Sequence, residues 1–427
     1  MSIFWPLKTS SLTAMSNRGR LHVVSLAKKV PLLACISDHI QGLRDRGAQV
    51  DTLVLNPAEP GDNPQSPSVG DWRVLGQPTG AGGRLAALGA ESLRAALRRP
   101  WRAADILWGT LGGRAGQVAG RFALAAGATR GQILHIHFGN FAVSILPVRR
   151  LTGLPLVVSF YGWDASAAPR QNPLIYKRLF KEASAIVSLS LEMNATLESL
   201  GCPPEKLHVV HIAVRGDELR NLAQRGESAS QGARVKGEKL EILAVGRLVE
   251  KKGLDDALEA LGILARRGVP FTYRIIGDGP LMSDLQEQVR RLHLENHVEF
   301  AGAMPRREVF KEMGRCDVFF LPSREASSGD REGTPTVLIE AGALGIPCVA
   351  TFHAGTPEII LDGKTGLLAA ERDVEKLADH LQDLAGDAAL RRRLGDAART
   401  HIDSEFELDS QCAHLEIIYR QCLRAGS

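Results

Sequence analysis

Short apolar runs rich in β-branched residues alternate along the chain with segments whose apolar positions fall at helical spacing. In the first half the runs are "LHVVSL", "QVDTLVL", "QILHIHF", "LPLVVSF", "AIVSLS" and "LHVVHI", with helical candidates such as Ile36–Arg46 and Leu191–Leu200 around them. This alternation predicts parallel βαβ units. The segment Asn56–Gly83, rich in Pro and Gly, reads as a long loop. After Val214 the pattern lapses into "RGDELRNLAQRGESASQGARVKGEK", polar and small, the composition of a linker with a flexible insertion. Strand runs resume at "LEILAV" and continue through "FTYRIIG", "HVEFAG", "DVFFLP" and "IPCVA"; the tail from Asp373 is helical, its last helix near Leu408–Leu423.

The expected architecture is therefore α/β with two doubly wound, Rossmann-like domains. One covers 20–215, a linker covers 216–238, the second domain covers 239–400, and a final helix at 401–427 could pack back on the first domain. A length of 427 residues agrees, since single cores stop growing at about 250–300 residues. Two such domains face each other across a cleft, and ligands of open α/β sheets sit beyond the carboxyl ends of the strands.

Charge changes the picture only when it is split by position. The net charge is +4, but residues up to Arg215 hold 24 Lys and Arg against 13 Asp and Glu, and the remainder holds 28 against 35. So basic a first half suits an anionic partner such as a membrane surface or a phosphorylated lipid, and no nucleic-acid-binding motif accompanies it. Arg84–Arg102 places leucines at helical spacing beside arginines and Trp101, a helix that could lie on a membrane or simply pack on its domain. No apolar run reaches the roughly 18 residues of a membrane span, and the amino terminus lacks a secretory apolar region, so a cytoplasmic protein is expected. Its six cysteines stand singly, without zinc-site spacing.

Two segments carry candidate chemistry. In "GDREGTPTVLIEA", Glu332 and Glu340 have seven residues between them, on either side of a Gly-Thr-Pro turn. Thr334 as N-cap and Pro335 at the first helical position would start a helix, whose free N–H groups suit a phosphate, and Gly333 would allow close approach. Glu340, about 7–8 Å further along that helix, would reach the ribose of a bound nucleotide; the alternative is a core acid paired with a basic residue. Glu332 would face the transferred group or be an exposed turn acid. In "VGRLVEKKG", after the strand "LEILAV", Arg247 and Lys252 could both reach a diphosphate, with Lys251 facing solvent; the alternative is a pair of solvated loop cations.

Together these segments resemble the family 4 retaining glycosyltransferases of the GT-B fold. The paired glutamates match Glu332 and Glu340, and the Gly-Arg-Leu then Lys-Gly signature matches Gly246, Arg247, Leu248, Lys252 and Gly253. The resemblance runs from about Leu21 to Tyr419 and is most similar to colanic-acid-type exopolysaccharide transferases. It implies a hexosyltransferase that moves a hexose from a nucleotide diphosphate sugar to an exopolysaccharide or lipopolysaccharide glycan, with retention, no metal and no cofactor, and the basic first half adds the expectation of a lipid-linked acceptor. Arg247 and Lys252 would neutralise the diphosphate, Glu340 would hold the ribose and Glu332 the sugar. Gly333, Thr334, Pro335 and Gly246 would line the donor, and Ala303 and Met304 would meet the base.

The first half matches less closely. "HIHFGN" resembles the family's His-x-His-Phe-Gly segment, and "SFYGWDAS" stands at its Phe-His-Gly-x-Asp-x-Ser, making His137, Tyr161, Gly162 and Asp164 candidate residues on this side of the cleft. Tyr161 replaces the family histidine and cannot become a cation at neutral pH. Near the amino terminus the family's Ser-Glu-Thr-Phe segment is absent, so the resemblance carries no acceptor identity. Two other readings remain: a GT-B relative acting on a soluble acceptor or sugar nucleotide, and a catalytically silent nucleotide-sugar-binding protein.

Overall fold

The computed structural model describes residues 20–29, 34–56, 72–74, 128, 131–227 and 239–425. The candidate membrane helix at 84–102 and the amino-terminal segment before 20 lie outside them.

The apolar runs form two wholly parallel sheets. The first comprises β1 (His22–Lys29), β2 (Gln49–Asn56), β3 (Trp72–Val74), β4 (Ile133–His137), β5 (Leu156–Ser159), β6 (Ala185–Ser188) and β7 (Leu207–Val209), in the order β3-β2-β1-β4-β5-β6-β7. The second comprises β8 (Leu240–Val245), β9 (Phe271–Ile276), β10 (Val298–Gly302), β11 (Val318–Leu321), β12 (Cys348–Thr351) and β13 (Gly366–Ala369), in the order β10-β9-β8-β11-β12-β13. Central strands are mostly apolar because helices cover both faces: every residue of β4, β5, β6, β11 and β12 is buried, with His135 and His137 the polar members of β4. In each sheet the strand order reverses once, between β1 and β4 and between β8 and β11, and a crevice opens where it does.

Two segments differ from expectation. Within the stretch read as a loop, Trp72–Val74 pairs with Thr52–Val54 as an edge strand. Within the stretch read as linker, Gly216–Glu227 is an α-helix. Its sequence is polar overall, but Leu219, Leu222 and Ala223 lie three and four positions apart, and Leu219 and Ala223 are buried.

The carboxyl-terminal helix Leu408–Ala425 lies against the helix Ala34–Asp45 of the first half, which the chain reaches by passing Val214, whose N–H donates to the Phe406 carbonyl. Arg46 pairs with Asp409 at 2.9 Å and with Glu416 at 3.3 Å. The deepest link is Tyr419, fully buried, whose hydroxyl lies 2.7 Å from His135 Nδ1. Burial, then the neighbouring His39, pushes His135 down to about 3, so the ring is neutral and both nitrogens need partners; Ser159 Oγ serves the other at 2.8 Å.

Tyr419→Phe keeps the ring but strands His135 Nδ1 in the core. It should lower stability by about 1–3 kcal/mol, the cost of an unsatisfied buried polar group, seen as a lower urea midpoint. An unchanged midpoint would mean that this bond does not anchor the helix.

Candidate active site at the switch point of the second sheet

The reversal between β8 and β11 brings two loops together. The loop after β8 runs from Gly246 to Gly253; the loop after β11 runs from Pro322 to Pro335. Gly253 closes the first loop at φ 63°, and a Cβ there would lie 1.9 Å from the Pro322 carbonyl oxygen, so only glycine lets the two loops touch.

That contact sets Lys252 beside Glu332: Nζ lies 3.0 Å from Oε1, with the side chains 13% and 11% exposed. Burial pushes the Glu332 carboxyl up, but the charges of Lys252 and Lys251 outweigh it and hold the group below its ordinary value. Lys251 does not face solvent as its position suggested. Its Nζ lies 3.1 Å from Asp330 Oδ2 and donates to the Arg331 carbonyl at 3.3 Å, because the loop turns its stem inward under the glutamate turn. Arg247 is exposed and makes no side-chain hydrogen bond or ion pair among the described residues. Gly246 precedes it, packed near the Lys252 stem.

The helix that carries Glu340 begins one residue later than the sequence suggests, at Thr336, with Pro335 extended at the cap (ψ 100°). Thr334 does not cap it. Its hydroxyl donates instead to the Leu189 carbonyl at 3.0 Å, across to the first half of the protein, a carbonyl that also lies 3.0 Å from His211 Nδ1. Glu340 is 7% exposed, and its Oε1 accepts from Arg306 Nη2 at 3.2 Å. Burial pushes its carboxyl up to about 7, only partly countered by Arg306. Thus the acid is paired with a base in this state, as the alternative reading had it, while lying in the helix that starts beside Glu332. Arg306 follows the loop Ala303–Pro305, where Ala303 is exposed and Met304 half-buried, and its Nη1 is 3.6 Å from Asp38 of the first half.

The candidates of the first half lie against this turn. A Cβ on Gly162 would sit 2.3 Å from the Arg331 carbonyl oxygen and 2.7 Å from the Gly333 nitrogen, so the absent side chain is what permits the backbones to meet. The Arg331 N–H donates to Ser166 Oγ at 3.2 Å, and its guanidinium donates to Glu192 at 2.6 Å. Asp164 is fully buried and holds the local backbone by accepting from the Tyr161 N–H at 2.6 Å and the Gly139 N–H at 2.5 Å; burial still raises it to about 7. The Tyr161 hydroxyl lies 2.9 Å from His137 Nδ1, and its ring lies on Phe138, centroids 4.5 Å apart. Tyr161 is therefore an inward-facing wall whose hydroxyl already has a partner.

Sequence reasoning missed Arg306, Glu358 and His353. Glu358 accepts from the N–H of Leu191 at 2.8 Å and thus caps a helix of the first half from the second. No spacing in the chain announces such contacts between distant segments.

The family description "Glycosyl transferases group 1" matches residues 227–401, and "Glycosyl transferase 4-like domain" matches 34–213. WcaL of Escherichia coli K12, a protein named for colanic acid biosynthesis, is 34% identical over 317 residues, which cover 71% of this chain and 74% of that protein. This chain is a group 1 glycosyltransferase. The amylovoran biosynthesis glycosyltransferase AmsK of Erwinia amylovora is 34% identical over 68% of each chain. WcaL of Salmonella typhimurium is 36% identical over 58% of this chain, and there the match spans 60% of the relative. Among solved structures, Anabaena HepE, in complex with UDP and glucose, superimposes with a TM-score of 0.68 at 17% identity, covering 94% of this chain and all of that one. Sucrose-phosphate synthase of Thermosynechococcus elongatus gives 0.71 at 16% identity over 95% of this chain and all of that one. The fold of this glycosyltransferase is accordingly GT-B, two Rossmann-like domains.

The state of Glu340 generates a pH test. With a folded value of about 7 against 4.5 in the unfolded chain, the folded protein holds a proton that the unfolded chain releases between those values. This group therefore makes stability fall as pH rises from about 4.5 to 7, by at most about 3 kcal/mol. Glu340→Gln removes that slope, so the variant's melting temperature should gain on the parent's across this window and level off above it. A difference constant with pH would refute the assignment.

Proposed function

We propose that this glycosyltransferase moves a hexosyl group, with retention of anomeric configuration, from a nucleotide diphosphate sugar to a lipid-linked exopolysaccharide or lipopolysaccharide glycan. The observation that carries the reading is the Lys252–Glu332 pair, withdrawn from water at the switch point of the second sheet, with Arg247 exposed in the same loop as Lys252 and the Glu340 helix starting four residues beyond Glu332. In this reading Lys252 and Arg247 meet the diphosphate, where negative charge grows as the bond to the anomeric carbon breaks. The acceptor hydroxyl attacks from the same face, its proton passes to a phosphate oxygen of the departing group, and the nucleoside diphosphate leaves. Glu332, ionised in its setting, faces the positive charge that develops on the sugar. Glu340 turns from Arg306 to the ribose hydroxyls, with Ala303 and Met304 near the base. No cofactor or metal enters the scheme.

The glycan is suggested by relatives named for colanic acid and amylovoran biosynthesis, and the donor by HepE, solved with UDP and glucose. Work at the cytoplasmic face of the membrane is supported by the basic first half. Among the described residues no helix is long and apolar enough to cross a membrane. A screen of nucleotide sugars by thermal shift tests the donor class, since a ligand of the folded state raises the melting temperature. No shift with any of them would sink the reading.

Two predictions concern the charges. Arg247→Ala should lower turnover about 100-fold, as removal of a preorganised electrostatic group does, with an unchanged melting temperature because its side chain is exposed and unpaired among the described residues. Lys252→Ala should lose activity and also melt earlier, by about 3–5 kcal/mol of stability, because Glu332 is left buried without its partner. Near-normal turnover in both variants would remove them from the reaction.

The glutamates should differ in kind. Glu340→Gln should mainly raise the donor KM, since a ribose contact is equally present before and during reaction. Glu332→Gln should mainly lower kcat, with binding of the free nucleoside diphosphate nearly unchanged. The opposite pattern would reverse the roles.

A further inference from the structure

The Glu332 turn is held from below by a histidine that the reaction scheme does not use. His353, in the loop after β12, is wholly buried. Its Nε2 lies 3.1 Å from the backbone nitrogen of Glu332, and its Nδ1 lies 2.6 Å from Glu371 Oε1. A backbone N–H can only donate, so Nε2 must be the acceptor and the ring proton must sit on Nδ1, pointing at the Glu371 carboxylate. The other Glu371 oxygen accepts from the Glu325 N–H at 3.0 Å, in the loop after β11 that leads into the same turn. Burial pushes Glu371 up, but that N–H and His353 outweigh it and keep the carboxyl below its ordinary value. The backbone around the ring is itself fixed: the His353 N–H donates to Thr351, its carbonyl accepts from Thr356, and the Gly355 N–H donates to the Gly333 carbonyl at 3.2 Å.

We propose that His353, oriented by Glu371, is a positioning residue that fixes the Glu332 peptide, and through it aims the Glu332 carboxylate and the Gly333 and Thr334 N–H groups at the transferred sugar. The proposal rests on the catalytic reading of Glu332 given above. Its geometry has a clear logic. Lys252 draws the Glu332 side chain toward the β8 loop, Gly162 packs on the carbonyl side of its backbone, and His353 accepts its N–H. A neutral imidazole that accepts on one nitrogen and donates on the other sets the peptide plane without adding a charge beside the Lys252–Glu332 pair. An alanine at 353 would leave the Glu332 N–H and the Glu371 carboxylate without this partner.

The test has one arm that needs no activity. In protein labelled with ¹⁵N at histidine, the ring shifts of His353, assigned by their loss in His353→Gln, should report a neutral ring protonated at Nδ1, and hydrogen exchange should find the Glu332 amide protected. In His353→Ala that amide should exchange at least about tenfold faster. In the second arm, nucleotide release is followed with UDP-glucose and GDP-mannose as probes. His353→Ala should lower kcat, up to about 100-fold, the order of loss produced by a displacement of about 1 Å, while the donor KM changes less than about threefold. His353→Gln, whose amide oxygen can accept the Glu332 N–H, should recover much of the loss; His353→Asn, too short to reach it, should not. A ring protonated at Nε2, exchange at Glu332 indifferent to the alanine, or a loss that follows the melting temperature with no rescue by glutamine would each overturn the proposal. If the parent protein releases nucleotide from neither probe, the first arm still decides the placement of His353, and the failure belongs to the donor reading instead.

Discussion

An ionised carboxylate withdrawn from water must have a cation beside it, and the placement of Glu332 makes that requirement organise the second half of the protein. Its partner, Lys252, belongs to the loop after β8, whereas Glu332 belongs to the loop after β11. The pair can form only because the strand order reverses there, leaving two neighbouring strands whose helices depart to opposite faces. The same contact requires Gly253, which lets the lysine loop touch the Pro322 carbonyl. Arg324 reinforces it from the β11 side, donating its own N–H to the Lys251 carbonyl at 2.9 Å and its guanidinium to Asp255 at 2.7 Å and Asp256 at 2.5 Å. A buried ion pair is a poor source of net stability, because desolvation cancels much of the attraction. Its value here is positional: two loops are locked in one register at the mouth of the crevice.

The parallel sheets were legible because strands covered on both faces are continuous apolar runs, and interruptions of such runs are easy to see. What escaped was weak in that signal. Trp72–Val74 is three residues long and set among Pro and Gly, so no periodicity can develop; Gly216–Glu227 has a narrow apolar stripe in a polar sequence. The start of the Glu340 helix was displaced by one residue for a different reason. Thr-Pro has the chemistry of a cap followed by a first helical position, but the Thr334 side chain is oriented by donating its hydroxyl to the Leu189 carbonyl in the other half of the protein, where it accepts no N–H of the helix among the described residues. Local propensity could not see that acceptor.

The candidate site divides along the same line. Arg247, Lys252, Glu332 and Glu340 were readable as candidates from residue type and spacing, because they lie in the loops after β8 and β11 and in the helix that follows, the side of an open α/β sheet where ligands are held. Arg306, Glu358 and His353 were not, since their relevance lies in contacts with residues distant in the chain, such as the 3.1 Å approach of His353 to Glu332 and the 2.8 Å bond from Leu191 to Glu358. Tyr161 is intermediate. Its departure from the family histidine was visible, but only the fold shows that its hydroxyl is turned toward His137 and its ring toward Phe138.

The two glutamates that share one short segment end in opposite electrostatic states, and the cause lies in what surrounds each rather than in depth. Both are withdrawn from water. Glu332 has the charges of Lys252 and Lys251 close by, and these overcome burial. Glu340 has Arg306 alone, whose side chain is 35% exposed and divided between Glu340 and Asp38, and there burial prevails. A carboxyl kept ionised by fixed neighbours holds its charge whatever arrives, which suits a group that must oppose a developing positive charge. A carboxyl poised near neutrality responds to what arrives: hydroxyl donors favour its ionised form, and exchanging Arg306 for them involves a side chain that water can still solvate. Seven intervening residues thus separate a carboxyl that its fixed neighbours keep ionised from one whose charge depends on what faces it.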